Sequence, residues 1–174
     1  MNDLMGVDRV AEVAAFEAVH AGSIPAPPAS RGFAAIGLMN PKTGPNIGGV
    51  ARAVQIYGAA LMVIEGDRFR RIPTDTMKAY RHVPVIDGLT LHDAIPFDCV
   101  PVAVELVPHA KSLVNYKHPE RAFYVFGPED SSLGKQTLSW CRDVIYIPTS
   151  GCMNLAACVN VVLYDRMAKR LDRS

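Results

Sequence analysis

Three stretches of the chain bring together residue types that do chemistry. The first, GPNIGGVARAVQIYG at residues 44–58, sets Gly44, Asn46, Gly48 and Gly49 ahead of Arg52. A glycine-rich turn before a helix is one way to cradle phosphate, because the first-turn amides point outward without partners. The spacing fits neither common nucleotide motif: a Walker loop needs lysine directly after its closing glycine, and a dinucleotide fingerprint reads G-x-G-x-x-G. At about 100° per residue, Ile47, Val50, Val54 and Tyr57 share one helix face and Arg52 falls near the opposite side. Asn46 is placed to cap that helix from its side chain. On pattern alone the commoner reading of Arg52 is a solvated surface residue; the alternative is that the loop exists to aim its guanidinium. The second stretch, FYVFGPEDSSLG (123–134), is an apolar run ending in Gly127, Pro128, Glu129 and Asp130. Gly127 permits close approach to the backbone, and Glu129 stands at the carboxyl end of a strand, where α/β sheets bind ligands. An ordinary strand-to-helix loop reads the same way. The third, YIPTSGCMNLAACVNVVLYDRMAKR (146–170), joins a strand to a long helix through a Pro/Ser/Gly loop.

The elements that must position these residues alternate. Short apolar runs at 33–40, 60–67, 99–107, 121–127 and 143–148 have the length and content of buried parallel strands. Helical stretches are predicted at about 47–58, 89–94, 132–139 and 154–170. Alternation of this kind predicts an α/β domain with a mostly parallel sheet flanked by helices. The last helix is apolar almost all round, with Leu155, Cys158, Val159, Val161, Val162 and Leu163, so both its sides are expected to be covered. In a chain this small, a homodimer interface is the economical cover. Residues 8–20 have helical spacing and the following AGSIPAPPASRG carries three prolines, so 1–31 is read as an extension and 32–174 as the domain.

Bulk composition excludes little but is informative about partners. Lys plus Arg number 18 against 17 for Asp plus Glu, so any nucleic-acid contact has to come from a local basic patch or from one completed by a second subunit. The four cysteines, Cys99, Cys141, Cys152 and Cys158, form no C-x-x-C pair and no metal spacing with histidine. They read as reduced thiols of a cytoplasmic protein without a metal site. The N-terminal residues are acidic and lack a signal-peptide apolar core, and no run reaches membrane-spanning length. His82, His92, His109 and His118 are scattered and read as structural or surface residues.

Taken in order, NPKTGPNIGGVARAVQIYG, VFGPEDSSLG and IPTSGCMNLAACVNVVLYDR resemble the three motifs of the SpoU-type (TrmH-like) ribose 2′-O-methyltransferases of the SPOUT superfamily. The resemblance spans about residues 33–170. It implies a C-terminal trefoil knot, an exception to the rule that chains do not thread. It also implies a homodimer formed through the C-terminal helix, S-adenosyl-L-methionine as cofactor, and a ribose 2′-hydroxyl of tRNA or rRNA as methyl acceptor. By position, Asn46 and Arg52 match the asparagine and the catalytic arginine of the first motif. Gly127 and Glu129 match the second, and Asn154 matches the asparagine of the third. Catalytic roles are thereby implied for Arg52, Asn46, Glu129 and Asn154. Cofactor contacts are implied for Gly127, Ile147, Pro148, Gly151, Met153 and Leu155. The third motif departs from the pattern. Many members read Ser-Leu-Asn-Val-Ser, whereas this chain has Cys152-Met153-Asn154-Leu155-Ala156 in a shorter loop, so both serine hydroxyls are missing.

Arg52 is expected either to assist removal of the ribose proton, held by an RNA phosphate or by Glu129 of the same or a partner chain, or to stabilise the alkoxide alone. RNA contacts are expected from the basic run at 66–82, with Arg68, Arg70, Arg71, Lys78 and Arg81, although such runs are usually solvated faces. The compact chain favours tRNA over rRNA. Two alternatives stay open at this point: a non-catalytic RNA-binding relative and an unrelated α/β nucleotide-binding enzyme.

Overall fold

The computed structural model describes residues 32–68 and 81–171, all within one unit, Arg31–Ser174. The predicted helix at 8–20 and the proline stretch after it lie outside the described residues, as do Arg70, Arg71 and Lys78.

The elements run β1 (Phe33–Met39), α1 (Gly44–Ile56), β2 (Leu61–Glu65), β3 (Val85–Asp87), β4 (Val100–Val104), β5 (Lys111–Ser112), β6 (Arg121–Phe126), α2 (Gly134–Trp140), β7 (Asp143–Tyr146) and α3 (Leu155–Leu171). Seven strands form one sheet in the order β3-β2-β1-β6-β4-β7-β5, and every pairing between them is parallel. The five predicted strands are all present. β3 and β5 are additional, each too short to leave a periodic signal.

Alternation along the strands divides the core into two layers. Ile36, Leu38, Tyr124 and Phe126 face α1 and α3, packing with Val50, Val54, Val159 and Val162. Ala35, Phe123 and Val125 face the other way, onto Leu91, Leu133 and Val144. Gly49 lets α1 and α3 come together closely, because a Cβ there would lie 2.8 Å from the Cβ of Ala156. That close approach is one use of a glycine in the 44–58 stretch.

Two expectations are corrected. The helix predicted at 89–94 is instead a set of turns, in which Thr90 Oγ1 donates to Asp93 and accepts the Asp93 amide. Pro96 follows too soon for a second turn. The other correction concerns Asn46, which does not cap α1. The helix starts at Gly44, with Thr43 at the cap position and Pro45 in the first turn, where proline is well tolerated. Asn46 therefore sits inside the first turn and its side chain is free to reach other segments.

α3 is braced at its C-terminal half. Arg166 is buried and donates to the carbonyls of Pro119, Glu120 and Phe33 and to the Tyr124 hydroxyl. His118 shares hydrogen bonds with the Tyr124 hydroxyl (2.6 Å) and with Asp165 (2.8 Å). Burial pushes its pKa down to about 4, against the opposing pull of Asp165. The imidazole is thus neutral at physiological pH and structural.

Candidate active site

The carboxyl ends of β1, β6 and β7 bring the three motif stretches together. Glu129, just past β6, accepts from the Lys42 amide (2.7 Å), the Thr43 hydroxyl (3.1 Å) and Asn46 Nδ2. Asn46 Oδ1 in turn accepts from Asn154 Nδ2 at 2.6 Å. Asn154 Oδ1 completes the string by accepting the amides of Ala156 (2.9 Å) and Ala157 (3.3 Å), so Asn154 is the cap of α3. One line of hydrogen bonds therefore runs from Glu129 through Asn46 to the first turn of α3. Partial burial raises the Glu129 pKa, but the donors from Asn46, Lys42 and Thr43 outweigh it and hold the carboxyl below its ordinary value.

Asp130, the next residue, has its own set of partners. Arg68 grips it with two parallel bonds of 3.0 and 2.9 Å, and Lys42 Nζ lies 3.4 Å away. The Arg68 fork holds the Asp130 carboxyl well below the usual range. Arg68, expected to bind RNA phosphate, thus has its guanidinium engaged with a carboxylate. Arg81 is exposed.

A cavity opens beside this string, at the ends of β4, β6 and β7. Of the residues expected to contact cofactor, Gly127, Ile147, Gly151, Met153 and Leu155 line it and Pro148 does not. Sequence reading missed Val104, Glu105 and Leu106 on the β4 side, together with Ser131, Thr149 and Cys158. The signal that could have found Glu105 and Leu106 is their place at the end of an apolar run, where parallel strands present ligands. Cys152 lines the cavity, and the four cysteines are free thiols. Among the described residues no lysine, arginine or histidine lines the cavity, whose wall carries Glu105 and Glu129 with Ser131, Tyr146 and Thr149 among apolar side chains. That donor set fits a ligand with an apolar base and a positive charge. Among the described residues, no cluster of His, Cys, Asp and Glu is placed to hold a metal ion, and no helix is long and apolar enough to cross a membrane.

Arg52 stands apart. It is exposed on α1, does not line the cavity, and among the described residues makes no hydrogen bond or ion pair. The structure does not pair it with Glu129 of its own chain, which instead accepts from Lys42, Thr43 and Asn46.

The second and third stretches line this cavity, and the first joins them through the hydrogen bonds of Asn46. A model of the SpoU rRNA Methylase family matches residues 34–164. The chain belongs to this family. That membership removes the unrelated nucleotide-binding alternative. No curated protein matches the chain. Among solved structures, the SpoU methyltransferase AviRb from Streptomyces viridochromogenes aligns with a TM-score of 0.72 at 17% identity, over 84% of this chain and 63% of AviRb. The chain thus spans less than two thirds of AviRb. The same enzyme in complex with AdoMet gives 0.73 at 18% identity, with the same coverage. The TrmH/SpoU tRNA modifying enzyme of A. aeolicus gives 0.71 at 15%, over 80% of this chain and 76% of that one. A structure concerned with 2-OH methylation of C/U34 on tRNA gives 0.69 at 20%, over 82% and 93%. At these identities the likeness is one of fold: a mostly parallel α/β sheet flanked by helices.

Proposed function

We propose that this SpoU-family chain methylates a ribose 2′-hydroxyl of structured RNA, with tRNA preferred over rRNA, using S-adenosyl-L-methionine. The observation that carries this reading is the hydrogen-bonded string Glu129–Asn46–Asn154 beside a cavity whose wall carries the carboxylates Glu105 and Glu129. When bound, the cofactor supplies a methyl group on a positively charged sulfur. What remains for the protein is to hold the ribose in line and to ease the loss of its proton, and alignment alone contributes several kcal/mol. The backbone around Gly127 and from Ile147 to Leu155 holds the cofactor. The Glu129–Asn46–Asn154 string fixes α1 and the start of α3 around the reacting ribose, and Arg52 stabilises the developing alkoxide or takes part in removing its proton. Pairing of Arg52 with an RNA phosphate suits its exposed position.

The same reading makes 32–174 the methyltransferase domain, 1–31 an appended segment, and the working form a cytoplasmic homodimer joined through α3. RNA phosphates fall to the basic run at 66–82, with Arg81, Arg70, Arg71 and Lys78 as contacts and Arg68 tied to Asp130. A trefoil knot is part of the proposal. It rests on membership of the SpoU family. Arg52, Gly127, Glu129 and Asn154 are the residues that the motif resemblance assigns to the site, which favours an active enzyme over a non-catalytic RNA-binding relative.

The test is methyl transfer from labelled S-adenosyl-L-methionine to unmodified tRNA and rRNA, with the product nucleotide mapped. Ribose methylation of tRNA is expected; label on a base, or on rRNA alone, overturns the corresponding part. Arg52→Ala is expected to lower the rate roughly 100-fold or more while cofactor affinity measured by calorimetry is unchanged. A variant of full activity removes Arg52 from the mechanism.

A further inference from the structure

The cavity wall holds a carboxylate that none of the three motifs includes. Glu105 follows β4 directly and lines the cavity beside Leu106. Its Oε1 accepts the Leu106 amide at 2.8 Å and its Oε2 accepts the Leu133 amide at 2.9 Å. These bonds fix the orientation of the carboxylate and use one acceptor position on each oxygen. An ionised carboxylate has about four such positions, so each oxygen keeps capacity for a ligand donor. Glu129 differs, because the Lys42 amide, the Thr43 hydroxyl and Asn46 already converge on it.

The place of Glu105 also suits one chemistry. An acidic side chain at the carboxyl end of a parallel strand is how other α/β cofactor sites take hold of a ribose diol: two vicinal hydroxyls donate to one fixed carboxylate. The purine of such a ligand needs an apolar wall, which Leu106, Ile147 and Met153 provide. The ribose is one bond from its base, so the acceptor next to Leu106 is in reach of the diol. Resting on the cofactor reading above, we infer that Glu105 accepts hydrogen bonds from the ribose hydroxyls of the cofactor's adenosine. It is thereby a specificity-determining residue for an adenosine ligand with an intact diol. The same carboxylate ties the loop after β6 to the end of β4 through Leu133, so a purely structural role is the rival to be separated.

Calorimetric titration of the wild-type chain and Glu105→Gln separates them, with three ligands: S-adenosylhomocysteine, 5′-methylthioadenosine, and the 2′,3′-dideoxy form of the latter. The variant is expected to bind the first two roughly tenfold more weakly or worse. The dideoxy compound is expected to bind weakly and equally to both proteins. An equal loss on the dideoxy compound reduces Glu105 to a loop anchor and overturns the inference. So does a loss confined to S-adenosylhomocysteine, which would place the contact on the amino-acid end of the ligand. If Glu105→Gln fails to fold, the wild-type chain decides alone: equal affinity for methylthioadenosine and its dideoxy form overturns the inference, and a clear preference for the diol sustains it. A wild-type chain that binds none of the three overturns the cofactor reading itself, whereas binding of all three regardless of the diol defeats only the role of Glu105.

Discussion

Glu129 gathers three donors from residues 42–46, and the charge on its carboxylate is what they favour. Its pKa lies below the ordinary value of 4.5 because the hydrogen bonds from Asn46, Lys42 and Thr43 outweigh the cost of partial burial. A depressed carboxyl stabilises the fold fully above its unfolded pKa and loses that contribution as pH falls through its folded pKa. Glu129→Gln is therefore expected to be less stable than wild type at pH 7, with the gap narrowing as pH falls below the ordinary carboxylate range and through the depressed pKa of Glu129. Urea denaturation of both chains across that range measures it, and a gap that stays constant would show that the ionised form is not what the donors hold. Other carboxylates such as Asp130 titrate in both proteins and cancel in the difference. The types of Asn46, Glu129 and Asn154 were legible in their motifs, but their mutual bonds were not. These join residues 83 and 108 positions apart, and no local pattern reports which strand ends become neighbours. Glu105 was hidden for the opposite reason, since it reads as the polar tail of an apolar run.

Asn154 carries the entry of α3, and with it the loop that lines the cavity. Its side-chain oxygen satisfies the amides of Ala156 and Ala157 while its nitrogen reaches Asn46. Loss of a cap of this kind costs about 1–2 kcal/mol. Asn154→Ala is expected to lower the unfolding free energy by that amount, read from the midpoint of a denaturant titration at unchanged slope. A change within a few tenths would mean that water replaces the cap without cost. Elements of this size were mostly readable, because buried parallel strands leave unbroken apolar runs and α1 shows its apolar face. The failures have local causes. Pro45 moved the start of α1 ahead of Asn46, a threonine–aspartate turn replaced the helix expected at 89–94, and β5 has two residues. Much of the apolar surface of α3 is covered within the chain itself. Leu155, Val159, Val162 and Leu163 are covered by the chain's own sheet and α1, while Tyr164 remains 56% exposed.

Strand order decides how the molecule is assembled, and alternation of strands and helices says nothing about it. The insertion of β7 between β4 and β5 sets the last loop and α3 against the ends of β4 and β6 and so builds the cavity. It leaves Arg52 outside that cavity, on the exposed side of α1. If the working unit is a symmetric pair, an arginine that serves no function in its own subunit's cavity can complete its partner's. Mixed dimers decide this. Arg52→Ala and Glu129→Ala chains, carrying different tags and co-expressed, are each expected to be inactive as homodimers. The purified mixed dimer is expected to recover about half of the wild-type rate, since across the interface one of its two sites has both residues intact. If Arg52 serves its own chain, each site of the mixed dimer lacks one residue and the rate stays at background. A wild-type chain that scatters light as a single copy at every concentration would remove the partner from the mechanism and return Arg52 to its own subunit.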